Sequence, residues 1–213
     1  MRLAFATCTL LLSLLCGCTS VTQKMSDTDR RLAAVVTVDE KVTKPESMFY
    51  SGGEVGAGGG QIYGAVGALI SSAGAPPKEL SLAEKFSQLA EKNGIRIEDL
   101  VREEITAALK SSDKLKVAGP GDTATSTIRI QIERYGFGQV HGLSDKVGPL
   151  LRVACTLVDA NGRTLWSATD FITPMGSAAK PVKSVDFLDD PKVMGVLWRQ
   201  ASKEVARLLV REL

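Results

Sequence analysis

The chain has 213 residues, a formal net charge of +2, 23% charged and 44% hydrophobic residues. That apolar content is enough to bury one real core. The near-neutral balance excludes a dedicated nucleic-acid binder, which carries a clustered basic excess.

The chain opens with MRLAFATCTLLLSLLCGCTS. Arg2 is a short positive start. Leu3 to Leu15 form an apolar run of secretory-signal length, too short to span a bilayer. The run ends in Leu15-Cys16-Gly17-Cys18, which resembles the lipobox of bacterial lipoproteins: an aliphatic residue, two small residues, then cysteine. The resemblance implies a signal peptide over 1–17 and cleavage after Gly17. Cys18 then carries thioether-linked diacylglycerol, with an acyl chain such as palmitate on its amino group. The chemistry needs sulfur as the nucleophile that accepts the glyceryl group. Several acyl chains hold a protein on a bilayer, each buried methylene contributing about 0.8 kcal/mol. Thr19, where aspartate would mark inner-membrane retention, implies the periplasmic face of the outer membrane. Cys8 and Cys16 leave with the signal peptide. Only Cys155 remains in the body, and a lone thiol forms no internal disulfide. Its place in an apolar alternating run makes it a small buried residue.

Residues 18–30 read as a polar tether, and 31–213 as a single periplasmic domain. RLAAVVTVDE is rich in β-branched residues and predicts a strand from Leu32 to Val38. A glycine-rich insertion occupies 51–77. Its core, GGEVGAGGGQIYGAVGALISSAG, is nearly free of charge. A dinucleotide fingerprint needs a flanking strand and a continuing helix, whereas this tract runs into Pro76-Pro77. Gly56, Gly60, Gly64 and Ala68 recur every four residues. On a helix they line one face and let another backbone approach closely. Three readings stay open: a flexible insertion, a glycine-zipper helix that packs on a partner or touches the membrane, and a buried segment.

SLAEKFSQLAEKNG predicts a helix. Ser81 and Glu84 form a capping box, Leu82, Phe86 and Leu89 share a face, and Asn93-Gly94 is the stop. IEDLVREEITAALKSS predicts a second, with Glu98 and Asp99 favourably placed against the dipole at its start. KLKVA is a short strand. STIRIQIERYGFG alternates, with Ile128, Ile130 and Ile132 on one face. HGLSDKVGP reads as loop. LLRVACTLVDANGRTLWSATDFIT predicts a hairpin turning at Asn161-Gly162. After a polar loop, DPKVMGVLWRQASKEVARLLVREL predicts a last helix with Asp190 as N-cap and Pro191 at its first position. Lys203, Arg207 and Arg211 fall on its outer side. The fold class is therefore α+β: a mixed or antiparallel sheet of about four to five strands packed by two to three helices.

The order IEDLVREEITAALKSS, KLKVA, IERYGFG, LRVACTLVDANGRTLW is similar to the α/β module of envelope lipoproteins. Examples are the curli secretion lipoprotein, the amino-terminal domain of the TolB translocation protein, and auxiliary lipoproteins of ABC-type lipid transporters. The resemblance covers about residues 95 to 173 plus the last helix. It implies a cell-envelope setting and partner binding. The pore-forming hairpins of the curli secretion lipoprotein have no counterpart here.

Catalysis is not expected. A hydrolytic triad needs nucleophile, base and orienting group. The only histidine, His141, lies near Ser144 and Asp145 in sequence, which does not place them together in space. One histidine and one body cysteine make no zinc site, no phosphate-binding GxxxxGK[ST] occurs, and no cofactor is expected. Glu103-Glu104 reads as a solvated helix face. The expected function is a non-enzymatic accessory or assembly component, held at the outer membrane through lipid on Cys18 and binding other envelope proteins. The alternative is a glycine-zipper membrane protein that homo-oligomerises as a secretion or pore component.

Overall fold

The structure, a computed structural model, describes residues 23–51, 81–142 and 144–213. It is α+β, built on one seven-stranded mixed sheet. In chain order the elements are α1 (Asp27–Leu32), β1 (Val35–Val38), β2 (Phe49–Ser51), α2 (Leu82–Lys92), α3 (Ile97–Ser111), β3 (Lys116–Val117), β4 (Ser126–Gln139), β5 (Lys146–Asp159), β6 (Thr164–Ile172), β7 (Val182–Lys183), α4 (Asp186–Asp189) and α5 (Lys192–Arg211). The sheet is larger than the four to five strands expected because it gains β2 and β7, which are only three and two residues long. Pieces that short carry no readable periodicity.

The antiparallel β4–β5 hairpin is the spine. On the β4 side, β1 pairs parallel with the first half and β2 with the second. On the β5 side, β6 pairs with the second half and β7 with the start. The segment from β1 to β2 is stitched to β4 along the way. Asp39 N–H donates to the Ile128 carbonyl, Thr43 N–H to that of Ile130, and Ile132 N–H to that of Thr43. The spine thus has a base, where β4 starts and β5 ends, and a tip, where the two strands join.

Ile128, Ile130 and Ile132 of β4 are buried, as are Leu151, Val153, Cys155 and Leu157 of β5. Both sets face a helical layer. At Glu133 the pairing register shifts, so Glu133 and Arg134 together oppose Arg152. This bulge resets the alternation. Beyond it the odd-numbered Tyr135 and Phe137 enter the core. At the tip they meet Phe86, Phe187 and Trp198, whose ring contacts span 4.7 to 6.0 Å. Trp198 Nε1–H donates to the Gly136 carbonyl at 3.2 Å.

The sequence predicts loop through Pro149, but β5 already runs from Lys146. Val140 N–H bonds to the Lys146 carbonyl, so alternate residues Gly148 and Leu150 face β4 and Pro149 faces away. On that side β6 has ended at the Leu151–Ile172 pair and β7 reaches only Val147. The missing proline N–H therefore breaks no ladder bond.

α3 and α5 lie side by side and parallel. Arg199 of α5 pairs with Glu103 at 3.0 Å and Glu104 at 3.1 Å. Eleven residues further along α3's direction, Lys114 Nζ donates to the Arg211 carbonyl. The acidic pair is thus a helix-to-helix clamp rather than a merely solvated face. The α3 stripe Val101, Ile105, Leu109 and the α5 stripe Leu197, Ala201, Val205, Leu209 are buried. Pro191, one residue after the expected Asp190, is the cap position of α5, while Asp190 Oδ1 accepts from Lys192 N–H.

Residues 23–30 were expected as tether, but they are tied to the fold. Gln23 forms an antiparallel bridge with Ser167 on β6. α1 starts at a capping box between Ser26 and Asp29 and crosses the base toward β1. Arg163 pairs with both Asp29 (3.1 Å) and Asp159 (3.3 Å), fastening α1 to the β5–β6 turn. Arg30 donates to the Leu213 carbonyl. That turn closes with Gly162 at φ 81°, as the Asn-Gly pair predicts.

Candidate functional site

Four of the residues singled out in the sequence, Gly56, Gly60, Gly64 and Ala68, lie outside the described residues, as does Cys18. The ends of the glycine-rich insertion are placed. Ser51 pairs with Gly138 at the tip, and Ser81 caps α2, whose Phe86 lies 5.9 Å from the Tyr50 ring. The insertion therefore leaves and re-enters the domain at the tip. The N-terminal segment joins near the base, because Ser167 opposes Thr156. Gly138 opposes Gly148, eight residues from Thr156 along β5, or about 27 Å at the rise of an extended strand.

His141 lies exposed at the tip. Its carbonyl accepts Ser144 N–H at 2.9 Å, while Ser144 Oγ accepts Lys146 N–H at 3.0 Å and Asp145 pairs with Lys183 at 3.6 Å. These contacts form a turn, and none of them joins the Ser144 hydroxyl to the imidazole. Cys155 is 2% exposed, and burial pushes its thiol up to about 12. Among the described residues no group of three or more His, Cys, Asp or Glu could hold a metal ion. No described helix is long and apolar enough to cross a membrane.

Two surfaces carry concentrated chemistry. The first is the sheet face away from the helices, which is solvated as antiparallel sheets allow. In its tip half, Arg134, Arg152 and Phe171 stand directly across β4, β5 and β6, and Phe49 of β2, which opposes Gly136, lies diagonally beside Arg134. The Arg134 guanidinium lies 4.5 Å from the centroid of the Phe49 ring. Glu133, the extra residue of the bulge, pairs with Arg152 at 2.6 Å. Like charges directly opposite on neighbouring strands are unfavourable, and Glu133 neutralises one of the two. Arg134 has no carboxylate partner among the described residues. Phe171 is 48% and Phe49 37% exposed. Exposed aromatics beside arginine are the residue types enriched at protein interfaces.

The second is a groove of about 920 Å³ between α3 and α5, on the side away from the sheet. Ala107, Ala108, Ser111 and Val210 line it, with Lys114, Lys203 and Arg207 around it. The sequence places Lys203 and Arg207 on the outer side of α5 but does not show the groove, which needs the parallel packing of two helices distant in sequence.

No family model matches the chain, and no curated protein matches it. Several solved structures are similar at low identity. Protein XCC0632 from Xanthomonas campestris, of family DUF330, is 12% identical, with 83% of this chain and 80% of that chain covered at a TM-score of 0.42. A PelC dodecamer from Paraburkholderia phytofirmans is 12% identical, with 82% and 84% covered at 0.33. Lipoprotein GNA1162 from Neisseria meningitidis is 14% identical, with 76% and 97% covered at 0.24. Values of this size assign neither family nor activity to the chain.

Proposed function

We propose that the chain is a lipid-anchored lipoprotein of the outer membrane, facing the periplasm, whose domain binds other envelope proteins without catalysing a reaction. The observation that carries this reading is the run Leu3 to Leu15 ending in Leu15-Cys16-Gly17-Cys18. Basic start, apolar length and small residues before a cysteine are what lipid transfer and cleavage require. The fold is compatible with that attachment. Gln23, five residues after Cys18, is held at the base end of the β6 edge, so an extended chain lets Cys18 lie at most about 17 Å away.

The partner-binding part of the reading is supported by the cluster Phe49, Arg134, Arg152 and Phe171. A folded domain exposes few large aromatics beside a guanidinium without a carboxylate partner unless that surface is covered. The cluster lies in the tip half of the domain, remote from the anchored end.

Cys18→Ala is the test of the anchor. It is expected to abolish palmitate labelling and release the protein from the membrane fraction, and labelling that persists sinks the lipoprotein reading. A photo-crosslinking residue at Phe171 in living cells tests the partner face. One discrete envelope protein is expected, lost in Arg134→Glu. Failure to trap anything in either background removes this face from the proposal.

A further inference from the structure

We propose that the groove between α3 and α5 seats the headgroups of anionic phospholipids, so that the domain rests on the bilayer with this face; the proposal rests on the lipid-anchor reading. Charge is the first support. Around the groove the acidic side chains are engaged: Glu104 pairs with Arg199 at 3.1 Å, and Glu204 accepts the Ala178 N–H at 3.0 Å. Arg211 pairs with Glu212 at 3.4 Å. Lys203 and Arg207 are exposed and have no carboxylate partner among the described residues. Lys114 adds a third cation, bonded only to a carbonyl.

These cations need an explanation beyond helix stability. Basic residues in the last turn offset the negative end of the helix dipole, an effect confined to that turn. Arg211 fits that account. Lys203 lies eight residues earlier on α5, and the dipole does not explain it.

Position is the second support. The groove runs down to Lys114 and Arg211, at the base. The same base holds α1, whose Arg30 bonds Leu213, and the Gln23 bridge from which Cys18 is at most about 17 Å away. Lipidation at Cys18 thus tethers the base, where the basic end of the groove lies, to the membrane by a short chain; once the groove meets headgroups, its cations act inside the screening length of about 8 Å at physiological salt. Alanine and serine at Ala107, Ala108 and Ser111 leave the floor shallow and weakly polar, suited to the glycerol and upper acyl region beneath a phosphate. An acidic helix would satisfy the charge but not the placement beside the anchor.

The test uses full-length lipidated protein in vesicles. Ser111→Cys, on the groove, carries an environment-sensitive fluorophore; buried Cys155 does not compete for the label. In phosphatidylglycerol-containing vesicles the emission is expected to shift to the blue and to be quenched by spin-labelled lipid. Pure phosphatidylcholine vesicles, or high salt, are expected to abolish both. Lys203→Glu with Arg207→Glu should remove the shift while flotation with the vesicles persists. Each cation lost should weaken the face's contact about fivefold. Arg129→Glu, on the opposite sheet face, should change nothing. Equal emission in both vesicle types overturns the proposal. So does a shift in phosphatidylcholine that needs added envelope extract, which assigns the groove to a protein. Loss of flotation by the parent protein instead indicts the anchor reading, which the emission data leave separate.

Discussion

Gly136 is the position at which one added methyl group most directly tests the architecture. Its φ is 151°, and a Cβ built there would lie 1.8 Å from the Phe49 carbonyl oxygen, where real Cβ atoms do not come within 3.0 Å. The obstacle is backbone, so no rotamer change relieves it. Gly136→Ala must either push β2 off β4 or twist β4 at the point where its carbonyl accepts the Trp198 indole N–H. Holding alanine in a glycine-only conformation costs about 1–3 kcal/mol, and overpacking a filled site about 1–3 kcal/mol more. Together these come to about 4 kcal/mol, against a domain stability of about 5–15 kcal/mol. For a chain this long the melting temperature should fall by roughly 8–16 °C. Calorimetry measures the loss, and hydrogen exchange at Phe49 to Ser51 reports whether β2 has detached. Gly142→Ala is the control: nothing lies within 4 Å of its added Cβ, and the change should stay within about 0.5 kcal/mol. A loss below about 1 kcal/mol in Gly136→Ala, with β2 still protected, would refute the reasoning.

Cys155 should resist thiol reagents in the native protein at about pH 8 and react fully after unfolding, because burial disfavours the thiolate. Asp29 and Asp159 are held below the ordinary carboxyl value of 3.8, Asp29 first by the Ser26 hydroxyl and Asp159 first by the Arg163 backbone N–H. A depressed folded value means their contribution is complete above 3.8 and is lost as pH falls through the lower folded value. Carboxyl titration by NMR should show both, and α1 should loosen only in that acid range and stay fixed near neutrality. Ser81→Ala should cost about 1 kcal/mol by removing the cap of α2, seen as a lower midpoint in denaturant. If the four-residue series in the insertion packs helix on helix, Gly60→Leu should weaken oligomers cross-linked in membranes; unchanged oligomers return the tract to a plain insertion.

What could be read ahead was local. The Ser81–Glu84 box, the Ile128, Ile130, Ile132 alternation and the Gly162 turn each depend on residues within one element, and each stands where expected. Ser26-Asp27-Thr28-Asp29 carried the same capping signal three residues apart, yet its polar surroundings made it look like tether. The bulge at Glu133 was invisible because both phases of IQIERYGFG offer apolar residues, and only the partner strand selects the register. Pro149 read as punctuation, since its tolerance depends on a gap between β6 and β7. The basic groove needed α3 and α5 side by side. Arg134 and Arg152 become a pair only through the β4–β5 register. Cys18 remains legible in sequence alone.

The stitching of residues 35–51 along β4 has a mechanical consequence. The chain is attached near the base at Gln23 and leaves for the insertion at Ser51 on the tip. A pull between membrane anchor and insertion would therefore run through β1 and β2 almost along the strand axis. Both strands are parallel to β4, so their bonds to it would be loaded together in shear rather than opened one after another. The β4–β5 spine and the helical layer lie outside the covalent path between those two points, and the domain could bear tension on its edge while its core stays packed.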